Sequence, residues 1–205
     1  MQAYEQLLDW LRDGTFPPGM MLSEHDLAHR LSVSRTPVRA ALRRLESDGW
    51  LTIYPQRGAL VRTLTAAEAI DVSDARQVLE SACIDALSDE ARVRLCRELE
   101  QSIQQQIFAS EQGNYEQVVK LTIDFHRAFV VAGDNPILLD FYDRLRDRQE
   151  VMTLRARPDV AGRWSDFIAE HRSLVECARA GDRAAFLVEL RAHIVNTHGS
   201  LMGSL

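Results

Sequence analysis

Three arginines recur at every fourth position of one short stretch, at Arg35, Arg39 and Arg43. At about 100° per residue of an α-helix, their side chains lie within about 80° of one another, and Thr36 lies beside them. A guanidinium can bind O6 and N7 of guanine through two hydrogen bonds, or it can bind a phosphate. The spacing therefore fits a helix that contacts DNA, but it equally fits the solvated face of an amphipathic helix.

The surrounding residues predict a helix-turn-helix. Ser34 precedes the arginine-bearing helix and is expected to be its N-cap, with the hydroxyl accepting a backbone N–H two or three residues on. A shorter helix is expected to begin at Ser23, and residues 32–34 form the turn between the two helices. An apolar stripe on another face of the second helix is formed by Val38, Ala41, Leu42 and Leu45.

A small hairpin is predicted to follow these helices. Residues 50–54 are strand-like, residues 55–58 form a turn, and residues 59–62 return. The turn carries Arg57 and Gly58. Such a tip suits a wing that contacts phosphates or the minor groove.

The N-terminal part of the chain resembles a known protein family. The run PGMMLSEHDLAHRLSVSRTPVRAALRRLESDGW, within about residues 4–64, resembles the winged-helix domain of GntR-type bacterial transcription regulators. The resemblance implies a DNA-binding domain over residues 1–64 and double-stranded operator DNA as a partner. It implies DNA contacts from Ser34, Arg35, Thr36, Arg39, Arg57 and Gly58.

Three histidines further along the chain could also do chemistry. His126, His171 and His193 each fall on the apolar face of a different predicted helix. A single histidine in that position is more often a core residue than a ligand. Three imidazoles from facing helices can converge on one divalent cation such as zinc, nickel, copper, iron or manganese, and both interpretations stay open. His198 is expected at the surface near the C-terminus.

The stretch that carries these histidines is predicted to be all-helical. We expect a mainly α protein, with the winged helix-turn-helix followed by an antiparallel bundle of about six helices over residues 65–205. Thr65 and Glu68 form a predicted capping box before the first of them. The predicted helices span 66–87, 89–111, 115–133, 136–157, 164–180 and 182–199.

A second resemblance concerns this bundle. DARQVLESACIDAL, DFHRAFVVAGDNPILL and EHRSLVECARAGDRAAFLVELRAHI are similar to segments of the FCD effector domain of FadR-like GntR regulators. The resemblance implies a divalent metal ion, such as zinc or nickel, bound by His126, His171 and His193. Members that bind metal have an Asp or Asn four residues before the first histidine, where this chain has Thr122. Asp124 cannot simply replace it, because it lies about 200° round the helix from His126.

The same resemblance implies a small organic acid as effector. A carboxylate could supply the oxygen ligands that Thr122 does not. Arg76 is a candidate to pair with the acid, but an ion pair with an acidic residue of the same domain is an equally good interpretation.

Composition narrows the class of protein. The chain of 205 residues has a net charge of −6, divided as +1 over residues 1–65 and −7 over the rest, so any DNA-binding face is local. No run of 18 apolar residues predicts a membrane span, the N-terminus is not signal-like, and three scattered cysteines fit a reducing compartment. Composition thus fits a cytoplasmic protein, and the two resemblances imply a homodimeric transcription regulator, a repressor, that responds to a ligand.

Two other functions are compatible with the same sequence features. A metal bound by three histidines with an open position also fits a hydrolase-like helical enzyme fused to a DNA-binding module. The sequence lacks HExxH, G-x-S-x-G and P-loop motifs, so we expect no enzyme. The bundle could alternatively serve only to dimerise a DNA-binding adaptor.

Overall fold

A computed structural model of the chain describes residues 2–155 and 163–202. It divides into two compact units, Met1–Leu64 and Thr65–Leu205. The first is a small α/β unit and the second is helical throughout its described part. The predicted mainly α fold class is confirmed.

The first unit has three helices and three short strands. The apolar stripe of α3 is buried, as its spacing predicts, and packs against α1 and α2. The elements in chain order are α1 Gln2–Arg12, β1 Met21–Leu22, α2 Glu24–Arg30, α3 Arg35–Ser47, β2 Leu51–Tyr54 and β3 Gly58–Val61.

The start of α3 differs from the expectation in one respect. Ser34 occupies the N-cap position, but its side chain makes no capping hydrogen bond. The third helical residue is Pro37, which has no N–H to donate, so one of the two usual partners of an N-cap hydroxyl is missing. The hydroxyl of Ser34 is therefore available to another partner at the exposed end of the helix.

The hairpin is part of a three-stranded antiparallel sheet in the order β1-β3-β2. β2 and β3 pair from Leu51 with Val61 to Tyr54 with Gly58. The two-residue strand β1 was not predicted, because two residues are too few to show an alternating pattern. Gly58 has φ of 110°, and a Cβ there would lie 2.3 Å from the carbonyl oxygen of Leu22. A glycine is thus required by the sheet itself at this position.

The second unit contains the six predicted helices. They are α4 Ala66–Asp85, α5 Asp89–Glu111, α6 Tyr115–Ala132, α7 Pro136–Arg155, α8 Trp164–Ala180 and α9 Arg183–Met202. The capping box is confirmed: Thr65 Oγ1 accepts from the N–H of Glu68 at 3.1 Å, and the Glu68 carboxylate accepts from the N–H of Thr65 at 2.9 Å. The predicted end of the fourth helix, at residue 157, lies outside the described residues, and α9 continues three residues beyond its predicted end.

The interior of the helical unit contains many buried polar side chains. Apolar side chains such as Phe125, Phe129 and Phe186 are buried with them. Charged and polar side chains are almost never fully buried unless they are paired or bind something. The buried polar residues include Arg76, Glu80, Gln106, Thr122, His126, Gln149, Thr153, His171, His193, Thr197 and His198. None of the described helices is long and apolar enough to cross a membrane.

Candidate metal and effector centre

Helices α6, α8 and α9 bring the three predicted histidines together. His126, His171 and His193 are 2%, 0% and 1% exposed. One ring nitrogen from each lies within 4.8 Å of the others, and the Nε2 atoms of His126 and His193 are 3.1 Å apart. The structure therefore places three imidazole nitrogens around one point.

Each of these rings is oriented by an oxygen acceptor on its other side. The Nδ1 atoms of the three histidines lie 2.8 Å from Glu80 Oε2, Gln106 Oε1 and Glu170 Oε2, for His126, His171 and His193 respectively. A carboxylate or amide oxygen accepts a hydrogen bond from Nδ1–H, and in that tautomer the free lone pair is on Nε2. Three Nε2 lone pairs directed at one point are the arrangement by which histidines hold a divalent cation.

Burial keeps these rings neutral. Loss of hydration lowers the pKa of His126 and His171 well below 6.5, and it also lowers the pKa of His193, against the opposing effect of Glu170. Neutral imidazole is the form that binds metal. Among the described residues, Nε2 of His171 has no hydrogen-bond partner, although it is buried. The donor set thus fits a zinc-like or nickel-like ion.

The carboxylate of Glu80 connects the histidines to Arg76. It accepts hydrogen bonds from Arg76 Nε at 3.0 Å and from the Tyr142 hydroxyl at 2.9 Å, in addition to His126. Burial raises the pKa of Glu80, and the bonds from Arg76 and Tyr142 oppose that rise. The intradomain ion pair considered for Arg76 is therefore present, but it uses only one edge of the guanidinium.

The other edge of Arg76 faces a small cavity beside the histidines. The described part of the chain offers no hydrogen-bond partner to four polar atoms on its walls: Arg76 Nη2, Thr122 Oγ1, Gln149 Nε2 and His198 Nδ1. The cavity has room for about one water molecule, so a larger ligand requires its walls to move apart. Unsatisfied buried donors are costly, and here they are gathered where a ligand could satisfy them.

The expectation for His198 was wrong. Its side chain is 2% exposed, and its Nε2 lies 3.4 Å from Thr153 Oγ1. The helix α9 extends to Met202, so His198 lies within a packed helix rather than at a frayed end. Asp124 is exposed and pairs with Arg146 at 3.1 Å, and Thr122 is the residue that faces the histidines from one turn before His126.

The arginine row of the first unit lies on the surface. The N-cap Ser34 is exposed, and so are Arg35, Thr36, Arg39 and Arg43 of α3, on a different face from its buried stripe. The wing tip exposes Arg57. A stripe of guanidiniums beside a helix N-terminus is a surface suited to phosphates and base edges.

Comparison with known proteins decides the family. The profile described as bacterial regulatory proteins of the gntR family matches residues 1–61, and that of the FCD domain matches residues 71–196. The chain belongs to the GntR family. It carries the FCD type of effector domain, and it is a DNA-binding transcriptional regulator.

Individual proteins similar to this chain are named as transcriptional regulators. The uncharacterised regulator YdhC of Bacillus subtilis is 28% identical over 196 residues, which cover 94% of this chain and 86% of YdhC. The transcriptional repressor RspR of Escherichia coli is 32% identical over 129 residues, or 63% of this chain and 57% of RspR. A GntR regulator from Rhodococcus sp. RHA1, 22% identical, has the same fold with a TM-score of 0.78, covering 100% of this chain and 97% of that chain.

The sequence analysis did not identify the oxygen acceptors that orient the three histidines of this GntR-family protein. Glu80 is four residues after Arg76, so both lie on one helix face, and their burial could have been suspected from a charged pair among apolar neighbours. Glu170 directly precedes His171, yet it binds His193 of another helix. Gln106 ends a run of three glutamines, and nothing in that run distinguishes the buried one.

Proposed function

We propose that the helical unit binds a divalent metal ion through Nε2 of His126, His171 and His193, together with a small carboxylate, and thereby controls operator binding. The observation that carries the metal assignment is the convergence of one ring nitrogen from each histidine to within 4.8 Å, on rings whose Nδ1 atoms already have oxygen acceptors. When bound, the ion supplies an electrophilic centre for carboxylate oxygens. The members of this family and the relatives named above are regulators, which favours ligand sensing over hydrolysis.

The cavity supports a carboxylate as effector. Arg76 Nη2 and Gln149 Nε2 are N–H donors, and a carboxylate has two acceptor oxygens for such groups. Thr122 contributes no negative charge, so the protein offers the cation no anionic ligand at that position. An acid entering the cavity supplies it.

Replacing Thr122 by aspartate tests the metal assignment directly. Thr122→Asp places an anionic oxygen one helical turn before His126, so zinc is expected to bind about tenfold or more tightly than to the wild type. The measurement is competition with a chromophoric chelator. Thr122→Val keeps the shape without the charge and should leave zinc affinity near the wild-type value. Equal affinities of Thr122→Asp and wild type would refute a site at these histidines.

For the first unit, we propose that α3 reads the major groove. Arg35, Arg39, Arg43 and Thr36 would contact bases and phosphates, Ser34 a phosphate at the helix N-terminus, and the wing residues Arg57 and Gly58 the adjoining backbone. The exposure of the row and the uncapped hydroxyl of Ser34 support this assignment. Repression of the regulated genes is proposed from the named repressor among the relatives.

We further propose a homodimer joined mainly through the helical unit. One winged helix makes few base contacts, and paired half-sites supply the affinity an operator requires. The helical unit exposes large apolar side chains, among them Phe108, Ile137 and Phe141. Sedimentation equilibrium at micromolar concentration should give twice the chain mass of 23.2 kDa. A mass of one chain under those conditions would refute the dimer.

A further inference from the structure

Arg39 differs from its neighbours in the arginine row because it is held by a carboxylate. Its Nε lies 3.1 Å and 3.2 Å from Oε1 and Oε2 of Glu24, and its Nη2 lies 2.8 Å from Oε2. Arg35 and Arg43 have no hydrogen-bond or ion-pair partner among the described residues. These bonds from Arg39 lower the pKa of Glu24, and the charges of Arg35 and Arg43 add to the effect, so Glu24 lies within the field of the whole row.

The hydrogen bonds between Arg39 and Glu24 form a clamp that leaves one edge of the Arg39 guanidinium unused. Of its five N–H groups, Nε–H and one N–H of Nη2 point at Glu24. Both N–H groups of Nη1 and the second of Nη2 remain, and they include the parallel pair at the end of the side chain. That pair matches the O6 and N7 acceptors of guanine.

The position of Glu24 is itself fixed by the helix-turn-helix. It is the first residue of α2, directly after the N-cap Ser23, whose hydroxyl accepts from the N–H of Asp26. Leu27 and Ala28 of the same helix are buried in the core that α3 shares. The carboxylate is therefore presented from a packed element, and its side chain is only 24% exposed, against 54% for Arg39.

Building on the proposed docking of α3 in the major groove, we propose that Glu24 is a positioning residue that makes Arg39 a reader of base edges instead of a phosphate-binding arginine. A clamped arginine cannot swing toward the DNA backbone, and the nearby carboxylate repels phosphates. The alternative is that the ion pair between Glu24 and Arg39 only joins α2 to α3 and has no part in DNA recognition.

The test is Glu24→Gln in the full-length protein, with two duplexes. One is the sequence that the wild type enriches from a random library, and the other is a scrambled duplex of the same composition. Affinity for the enriched duplex is expected to fall about tenfold, whereas affinity for the scrambled duplex stays equal or rises. The slope of log affinity against log salt on the enriched duplex should steepen by about 1, because the released Arg39 binds a phosphate.

Asp26→Asn is the matched control. It removes the same charge from the same turn of α2, but its carboxylate is 81% exposed and contacts His25, not Arg39. It should leave the ratio of the two affinities unchanged. In an Arg39→Ala background, Glu24→Gln should have no further effect on that ratio.

Three results would overturn the proposal. They are an unchanged affinity ratio in Glu24→Gln, a parallel fall of both affinities together with the Tm, and an equal effect of Asp26→Asn. If Glu24→Gln does not fold, Arg39→Lys replaces it. Lysine keeps the charge without the fork, so the ratio should fall while scrambled-duplex affinity is kept, and an unchanged ratio would again overturn the role of the clamp.

Discussion

His171→Ala is expected to abolish both metal binding and the effect of the acid on DNA affinity, while basal DNA binding is kept. The substitution removes one of three nitrogen ligands, and even loss of an outer hydrogen-bond partner such as Gln106 reduces metal affinity about 10–100-fold. Zinc affinity should therefore fall by more than about 100-fold. The arginine row lies in the other compact unit, so its own contacts are not altered.

The measurement uses a defined acid and a defined duplex. The acid is the one that raises the Tm of the zinc-loaded wild type most in a screen of small organic acids. The duplex is the one enriched from a random library. In the wild type this acid should change DNA affinity only when zinc is present, and in His171→Ala it should have no effect in either condition.

Val175→Ala controls for damage to the core. Val175 is one turn after His171 on the same buried face of α8 and is 2% exposed. Its truncation should lower the Tm, since lost core methyl groups destabilise by about 1 kcal/mol or more, yet leave zinc affinity unchanged. A normal acid response of His171→Ala in metal-free buffer would mean that the histidines are core residues or direct ligand contacts.

Local patterns predicted the fold well because they act over a few residues. The stripe of α3, the capping box of Thr65 and Glu68, and the six helices of the bundle all follow from spacing and capping chemistry. The failures are also local. Ser34 makes no capping bond at a helix start where Pro37 removes one of the two usual donors, and β1 has too few residues for a periodic signal.

The candidate centre shows where such patterns stop being informative. The histidines were found because each lies on an apolar face, but the residues that orient them are far away in sequence. Gln106 and His171 are separated by 65 residues, and Glu80 and His126 by 46. These pairings depend on how the helices pack, which no periodicity encodes. His198 was misplaced for a related reason, because its burial depends on the packing of α9 against Thr153 of α7, 45 residues away in sequence.

Arg35→Ala is expected to remove most sequence-specific DNA binding without changing stability. Arg35 is exposed, and the described residues give it no ion-pair partner that its loss would leave unsatisfied. If it reads a base, its removal should cost about 1–3 kcal/mol per half-site, or about 5–150-fold in affinity, and a dimer loses the contact twice. Affinity for a scrambled duplex should fall much less, because that binding depends on phosphates shared among several arginines.

Arg44→Ala is the control for Arg35→Ala, because it is expected to lower stability and to leave DNA binding unchanged. At about 100° per residue, Arg44 lies about 180° from Arg35 on α3. Its guanidinium stacks 3.9 Å from the ring centre of Tyr4, and its Nε is 4.0 Å from Asp48. Its loss should lower the Tm through the cation–π contact, by about 0.5–1 kcal/mol in the free energy of unfolding, and leave DNA affinity unchanged. Filter binding at one salt concentration and thermal unfolding measure both variants. If Arg44→Ala weakens specific binding and Arg35→Ala does not, the opposite face of α3 enters the groove.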